Sequence, residues 1–355
     1  MRGSQPRQTS LLCLVDLEKL IPQNHPLRAI KPMADDALER LSRSLDRMYS
    51  KTGRPSVPPE RLLKGMLLVA LYSIRSEVQF CEQLRYNFLF RWFLDMDMVD
   101  EPFDHCAFSD NRDRLIRHEA TAKFFRKVVE QAEEAGLMSG DHFSVDGTLI
   151  EAWASMKSFR PKDDDDDDRD SNGWADFKGH KRSNETHESK TDPEAKLMRK
   201  GRGKEAKLSF AEHALTENRN GLVKDLQVTE ANGRCEREAA LEMVKAHVAP
   251  GSTIGADSAY NSKDFVAKCR ERGVTPHVAG KKEHSAIDAR TTRHPGYGAS
   301  QKVRKRIEQV HGWLKTIGGL RKSRYKGRAK TQLYAFMAGA AYNLLRMTKL
   351  IETPA

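Results

Sequence analysis

Apolar residues recur at helical spacing through the first part of the chain. Leu11, Leu14 and Leu17, then Leu38, Leu41 and Leu45, predict helices across residues 1–50. The loop GRPSVPP (53–59) precedes a strongly apolar run from Glu60 to Leu71, and Pro58 and Pro59 suit a helix start. Ser76 followed by Gln79 fits a capping box that opens another helix. Residues 60–86 therefore read as helix, short turn, helix, ahead of the aromatic NFLFRWFLDM (87–96). That pattern suits a DNA-contacting helix-turn-helix and a plain helical bundle equally. A further helix pair is expected over 109–137, ending at Gly136.

The texture then changes. HFSVDGTLIEAW (142–153) is β-branched and aromatic and reads as a strand carrying Asp146. Residues 207–218 and 221–230 read as a hairpin turning at Arg219-Asn220-Gly221. A helix over 235–248, a strand over 252–260 with Asp257 towards its end, a helix over 261–272 and a short strand over 274–280 follow. Residues 302–317 form one more helix, and 331–350 is a core-packing helix, its apolar run interrupted by Gln332, Asn343, Arg346 and Lys349. The order predicts an α/β fold with a mixed sheet, preceded by an all-α N-terminal region. Three parts are expected: helical 1–137, a mixed-sheet region 138–330, and a packing helix in 331–355. Residues 155–206, rich in Asp, Lys, Ser and Gly, read as an extended, mobile insertion.

Charge narrows the partner class. The 355-residue chain carries a net charge of +11 and has a pI of about 9.3. Between Lys302 and Lys330 eleven Lys/Arg stand against one acid, whereas DDDDDDRD (163–170) carries −6. Nucleic acid leads as partner, ahead of an anionic membrane surface. The cysteines at 13, 81, 106, 235 and 269 show no paired spacing and read as free thiols in a reducing cytosol. The N-terminal LLCLVDLEKLI is too short and too acidic for a signal or a membrane span.

Strand interiors disfavour Asp, yet SVDGT and GADSA carry one each, and open sheets gather ligand sites at strand ends. One such Asp is more often a turn former; two in neighbouring strands shift the balance. On a wheel of about 100° per residue, Arg304, Glu308, His311 and Lys315 share one stripe, while Val303, Ile307, Val310, Leu314 and Ile317 form an apolar face. A local Arg–Glu pair is the simpler explanation of Glu308, but it leaves His311 and Lys315 on the stripe unexplained. Three carboxylates converging in a basic cleft suit Mg²⁺, which completes its coordination with water and phosphate. Two such ions about 3.5–4 Å apart serve phosphodiester displacement.

Asp146, Asp257 and Glu308 in this order, with Arg304-x3-Glu308-x6-Lys315 around the last, resemble the DDE transposases of bacterial insertion sequences. The stretches SVDGTLIEAWAS, THESKTDPEAKL, HALTENRNGLV, GADSAY and AAYNLLR are similar to the insertion-sequence-five group, within the wider four/five superfamily. The resemblance covers nearly the whole chain. It implies a ribonuclease-H-like catalytic domain over 138–330, DNA binding and dimerisation by 1–137, and DNA-mediated transposition. The enzyme would bind terminal inverted repeats, cleave DNA and join the ends to a target. It also implies Mg²⁺, with Mn²⁺ substituting, as two ions held by Asp146, Asp257 and Glu308. Arg304 and Lys315 would contact phosphates, and Lys302, Lys305, Arg306, His311, Arg321, Lys322, Arg324 and Lys326 would extend the DNA-binding surface. A homodimer or larger synaptic assembly and a cytoplasmic, nucleoid-associated location follow, with no membrane. Many superfamily members carry a tyrosine where Gln301 stands here. A structure-specific nuclease and a non-catalytic DNA-binding regulator are the alternatives.

The six-Asp run has no ligand spacing and reads as a solvated loop. His180, His187 and His213 have no cysteine partners at zinc spacing, so zinc is not expected. Trp153 and Trp174 flank the insertion and read as anchoring residues, with base stacking as the alternative.

Overall fold

The computed structural model describes residues 16–162, 182–201, 203–281 and 283–352. The N-terminal region is helical: α1 (Leu17–Leu20), α2 (Pro26–Glu39), α3 (Ser42–Asp46), α4 (Pro59–Leu71), α5 (Glu77–Tyr86), α6 (Phe88–Phe93), α7 (Cys106–Arg117) and α8 (Ala120–Glu134). Pro59 opens α4, where a missing N–H costs nothing. Ser76 caps α5 by accepting from the Gln79 amide at 3.0 Å, but the Gln79 side chain accepts from Arg75 N, one residue outside the expected box. Helix α7 starts ahead of the expected Ser109 because the Asp104 carboxylate accepts from the Cys106 and Ala107 amides. Eleven of the thirteen residues of α4 are buried, so α4 has no face to offer DNA. Of that helix pair, only α5 keeps an exposed edge, bearing Arg85 and Tyr86.

The strands are β1 (His142–Glu151), β2 (Phe159–Pro161), β3 (His187–Ser189), β4 (Lys196–Arg199), β5 (Ala206–Glu217), β6 (Val223–Glu230), β7 (Thr253–Ala256) and β8 (Thr275–Val278). Across the main sheet the order is β6-β5-β1-β7-β8, with β4 beside the start of β5. The first three run antiparallel, turning at Gly221 (φ 71°), and β7 and β8 run parallel to β1. Parallel pairing requires crossovers, which α9 (Cys235–His247) and α10 (Lys263–Glu271) supply on one face. This is the strand order and orientation of a ribonuclease-H-like core. The expected helix over 302–317 is divided. It belongs to a series of α11 (Ala289–Arg293), α12 (Pro295–Val303) and α13 (Arg306–Thr316), followed by α14 (Arg328–Glu352). Arg304 and Lys305 form the joint, where Ile307 and Glu308 donate to carbonyls only three residues back.

One continuous core joins the N-terminal helices, the Ile150–Phe210–Leu226 face of the sheet, α13 and α14. The opposite face of the sheet, with α9 and α10, forms a second core. The helical region is thus packed against the sheet through α14. The polar residues that interrupt α14 dock it on the edge strand β6. Asn343 bonds both the N–H and the C=O of Val223 at 2.8 Å, and the Gln332 side chain accepts from Val228 N at 2.6 Å. They satisfy the outer ladder of a strand that would otherwise be an open edge. Among the described residues no helix is long and apolar enough to cross a membrane.

The flanks of the insertion, expected to be extended, are structured. β2 pairs with β3, and β4 joins the main sheet. Asp192 and Glu194 accept from the Gly327 and Arg328 amides, which ties this segment to the start of α14. The six-Asp run, Trp174 and His180 lie outside the described residues.

Candidate active site

β1 and β7 pair only over His142–Ser144 and Thr253–Gly255, then part. Carrying the Ser144–Gly255 register forward two residues places Asp146 level with Asp257, so the two acids stand on either side of the opening. Asp146 lies within β1, with its Oδ1 accepting from Gly147 N at 2.9 Å. Asp257 caps the turn after β7 by accepting from Ala259 N at 2.8 Å. Each keeps a carboxylate oxygen free of these local bonds.

Gly255 sets how closely the basic helices approach. A Cβ there would lie 3.2 Å from the Ser144 and Ser300 hydroxyl oxygens and 3.6 Å from Arg304 Cβ, and Ser300 is held by His142 at 2.7 Å. The α12–α13 joint therefore seats over β1 and β7 and turns Arg304 towards Asp146. Gln301, at the position of the superfamily tyrosine, donates to the His277 carbonyl and ties α12 to β8.

The stripe predicted on the helix wheel divides in depth. Glu308 is exposed, and its carboxylate has no hydrogen-bond or ion-pair partner among the described residues. Lys315 is half-buried and donates to the Thr148 hydroxyl. Arg304 Nε is buried with no partner. His311, expected on the DNA-facing edge, is only 7% exposed. Its Nδ1 lies 3.3 Å from Glu212 Oε2, and its Nε2 lies 3.9 Å from Asp146 Oδ2. Strand β5 presents Glu212 opposite Thr148 in the register, fully buried, with neither oxygen hydrogen-bonded. A buried imidazole between two carboxylates has no edge left for a phosphate.

The electrostatics follow from this crowding. Burial raises the pKa of Asp146; His311 opposes the rise, the Asp257 charge adds to it, and Arg304 opposes it. For His311, burial disfavours the charged form, but Glu212 and Asp146 outweigh it and the net shift is upward. Burial holds Lys315 below its ordinary value, and the neighbouring charges of Lys200 and Arg321 add to the depression. Lys200 and Arg321 thus stand near enough to Lys315 for their charges to act on it.

The remaining basic residues expected at the DNA surface divide into two sets. Lys302 and Lys305 are exposed. Arg306 donates to the Asn218 and Arg219 carbonyls on the β5–β6 hairpin, Lys322 pairs with Glu151 at 3.2 Å, Arg324 lies over the Tyr334 ring, and Lys326 lies over the exposed Trp153 ring. Sequence reasoning did not single out Lys200, Glu212, Glu236 or Tyr260. Burial pushes up the Glu236 carboxyl, and the Asp146 and Asp257 charges add to the rise. Among the described residues no group of three His, Cys, Asp or Glu stands close enough to hold one ion as it is. The donor set is nonetheless of the right chemistry: all oxygen, partly exposed, and with two acids whose mutual repulsion a cation would relieve.

Residues 15–114 match the family described as a transposase domain (DUF772), and residues 174–344 match the transposase DDE domain. The second match includes Asp257, Arg304, Glu308 and Lys315 and begins after Asp146. No protein with a curated description matches the chain. Among solved structures, the chain is similar to a piggyBac transposase synaptic complex with hairpin DNA (10% identity, 92% of this chain, 76% of that one, TM-score 0.45). It is also similar to a pre-cleavage Mos1 transpososome (11% identity, 86% and 81%, TM-score 0.20). A simian T-cell lymphotropic virus intasome matches at 13% identity over 52% of this chain, which spans only 41% of that chain, with a TM-score of 0.25. These overlaps are loose, and the fold rests on the strand order above. The two domain matches together span most of the sequence in the order found here, and the chain belongs to the DDE transposases of insertion-sequence type.

Proposed function

We propose that the protein is a DNA transposase that binds the terminal inverted repeats of its element, cleaves at their ends and joins the freed strands to target DNA. The observation that carries this reading is the level placement of Asp146 and Asp257 where β1 and β7 part, with the unpartnered Arg304 and Glu308 on the helices above. Asp146, Asp257 and Glu308 would hold Mg²⁺, or Mn²⁺ in its place, as two ions. Bound there, the metal supplies charge neutralisation for the attacking and leaving oxygens of a phosphodiester displacement.

The chain's own residues prepare the rest. Arg304 offers a guanidinium donor not committed to any protein partner, which suits a DNA phosphate beside the acids. Lys200, Lys315 and Arg321 offset the repulsion between phosphates and carboxylates. Glu212 holds His311 in place, and His311 in turn steadies Asp146 on the side away from solvent. Exposed Lys302 and Lys305 extend the basic surface along the backbone, where contacts position the duplex without reading its sequence. Two element ends must be held together for joining, so a dimer or larger assembly on the DNA is part of this proposal, as is a cytoplasmic protein associated with the nucleoid.

The test is cleavage and joining of a labelled duplex bearing the element's terminal repeat, in Mg²⁺, Mn²⁺, Ca²⁺ or EDTA, for wild type and Glu308→Gln. Metal-dependent nicking at the repeat end plus joined products, lost in the variant while binding persists, is the expected result. Cleavage without joined products would make the protein a nuclease. Binding without cleavage in any metal would make it a regulator.

A further inference from the structure

Glu236 is the second residue of α9, on the face of the sheet opposite α13. A Cβ on Gly147 would stand 2.8 Å from Glu236 Cγ and 3.1 Å from its Oε1. The glycine that follows Asp146 is therefore what lets this side chain lie against β1. An acid in the first turn of a helix commonly faces solvent and complements the helix dipole, and exposed Glu238 does so. Glu236 does not fit that pattern. It is half-buried, makes no hydrogen bond or ion pair among the described residues, and the acids acting on it are Asp146 and Asp257. A second group faces the same problem. The Tyr260 hydroxyl is fully buried without a hydrogen-bond partner, and after burial the charges that most disfavour its ionisation are Glu236, Asp146 and Asp257. Half-buried acids that repel one another, beside a buried hydroxyl without a partner, destabilise a fold unless a group bound in the working protein compensates for them.

We propose that Glu236 is a fourth carboxylate of the catalytic centre, ligating a divalent cation with Asp146 and Asp257 from the sheet face opposite Glu308. The inference rests on the reading of Asp146 and Asp257 as metal ligands. It gives the opening between β1 and β7 an oxygen donor from each flanking helix: Glu308 from α13 and Glu236 from α9. Hard cations that take several oxygens need donors distributed in this way.

The test is a Mn²⁺ titration of the full-length protein followed by electron paramagnetic resonance, for wild type, Glu236→Gln, Glu238→Gln and Asp146→Asn, with metal-free thermal melts of each. Glu236→Gln should bind Mn²⁺ roughly tenfold more weakly, or bind one ion fewer, because affinity follows ligand charge. It should also melt no lower than wild type without metal, and Glu238→Gln should match wild type throughout. A lower metal-free melt with Mn²⁺ affinity intact is the signature of a structural carboxylate and would overturn the proposal. If Asp146→Asn loses Mn²⁺ and Glu236→Gln does not, Glu236 is no ligand and the DDE centre stands without it. If neither loses Mn²⁺, the metal-centre reading fails and this proposal with it. Should Glu236→Gln not fold, Gly147→Ala displaces Glu236 from β1 without altering charge. Weakened Mn²⁺ binding is then expected, and unchanged affinity overturns the proposal.

Discussion

Lys64 is fully buried among the N-terminal helices, yet its ammonium meets Asp35 and Asp95 at 2.6 Å each, and Lys31 pairs with the same two acids. Glu77 is treated likewise, pairing with Arg112 and accepting from the Tyr325 hydroxyl. At the strand ends the pattern is reversed. Arg304 Nε has no partner, Glu308 and Glu236 make no ion pair among the described residues, and Glu212 has only His311 Nδ1 beside it, at 3.3 Å and without a hydrogen bond. The first region buries its charges and pairs them internally; the second ranges from buried Glu212 to exposed Glu308 and leaves several of its charges unpaired. On the proposed function, the groups left unpaired where β1 and β7 part are the ones that would take charges arriving from outside: cations for the acids and phosphates for Arg304.

The largest expected effect comes from the unpaired region. Asp146→Asn or Asp257→Asn should lower cleavage of a repeat-end duplex about a thousandfold or more, roughly 4 kcal/mol of transition-state stabilisation, with binding in a gel-shift assay nearly unchanged. In the paired region the deficit should appear in stability instead. Lys64→Met leaves Asp35 and Asp95 to share Lys31 and should lower unfolding stability in urea by about 3–5 kcal/mol, with activity per folded molecule retained. Arg304→Ala should reduce cleavage by about 1–3 kcal/mol, and Arg304→Lys should recover little of it, because lysine lacks the planar fork. A smaller effect sharpens the contrast within the sheet. Burial holds His213 down at about 4, so it is neutral in the fold and protonates more readily once unfolded. Its stabilising contribution is complete above the unfolded value and is lost as pH falls towards 4. By pH 5.5 the loss should reach about 1.4 kcal/mol in wild type, and His213→Gln should flatten that part of the pH–stability curve.

Much of this was legible in sequence where the signal was local. The Asn220-Gly221 turn defined the β5–β6 hairpin, Pro59 and Ser76 marked helix starts, and the stripe of Arg304, Glu308, His311 and Lys315 survives the joint at 304–305 because its backbone stays helical. Depth was not legible. One stripe of the wheel holds both exposed Glu308 and buried His311, since burial depends on where β5 places Glu212. Glu236 carried no signal in sequence, and only the fold, with bare Gly147 leaving room on β1, brings it beside the residue that follows Asp146. The joint itself arises from the way Gly255 admits Ser300 against the sheet, a contact between segments far apart in the chain. Helix α4 shows the converse: its apolar run and proline start were plain, but its burial on nearly every side required the whole core.

The most direct measurement compares metal-free wild type with Asp146→Asn by thermal unfolding, and then both in Mn²⁺. If the strand-end acids are held apart for a cation, the variant should unfold at a temperature equal to or above that of metal-free wild type. Mn²⁺ should then raise wild type by several degrees and leave the variant where it was. A variant that melts lower without metal, together with a wild type indifferent to Mn²⁺, would show that Asp146 serves the fold and would contradict the account.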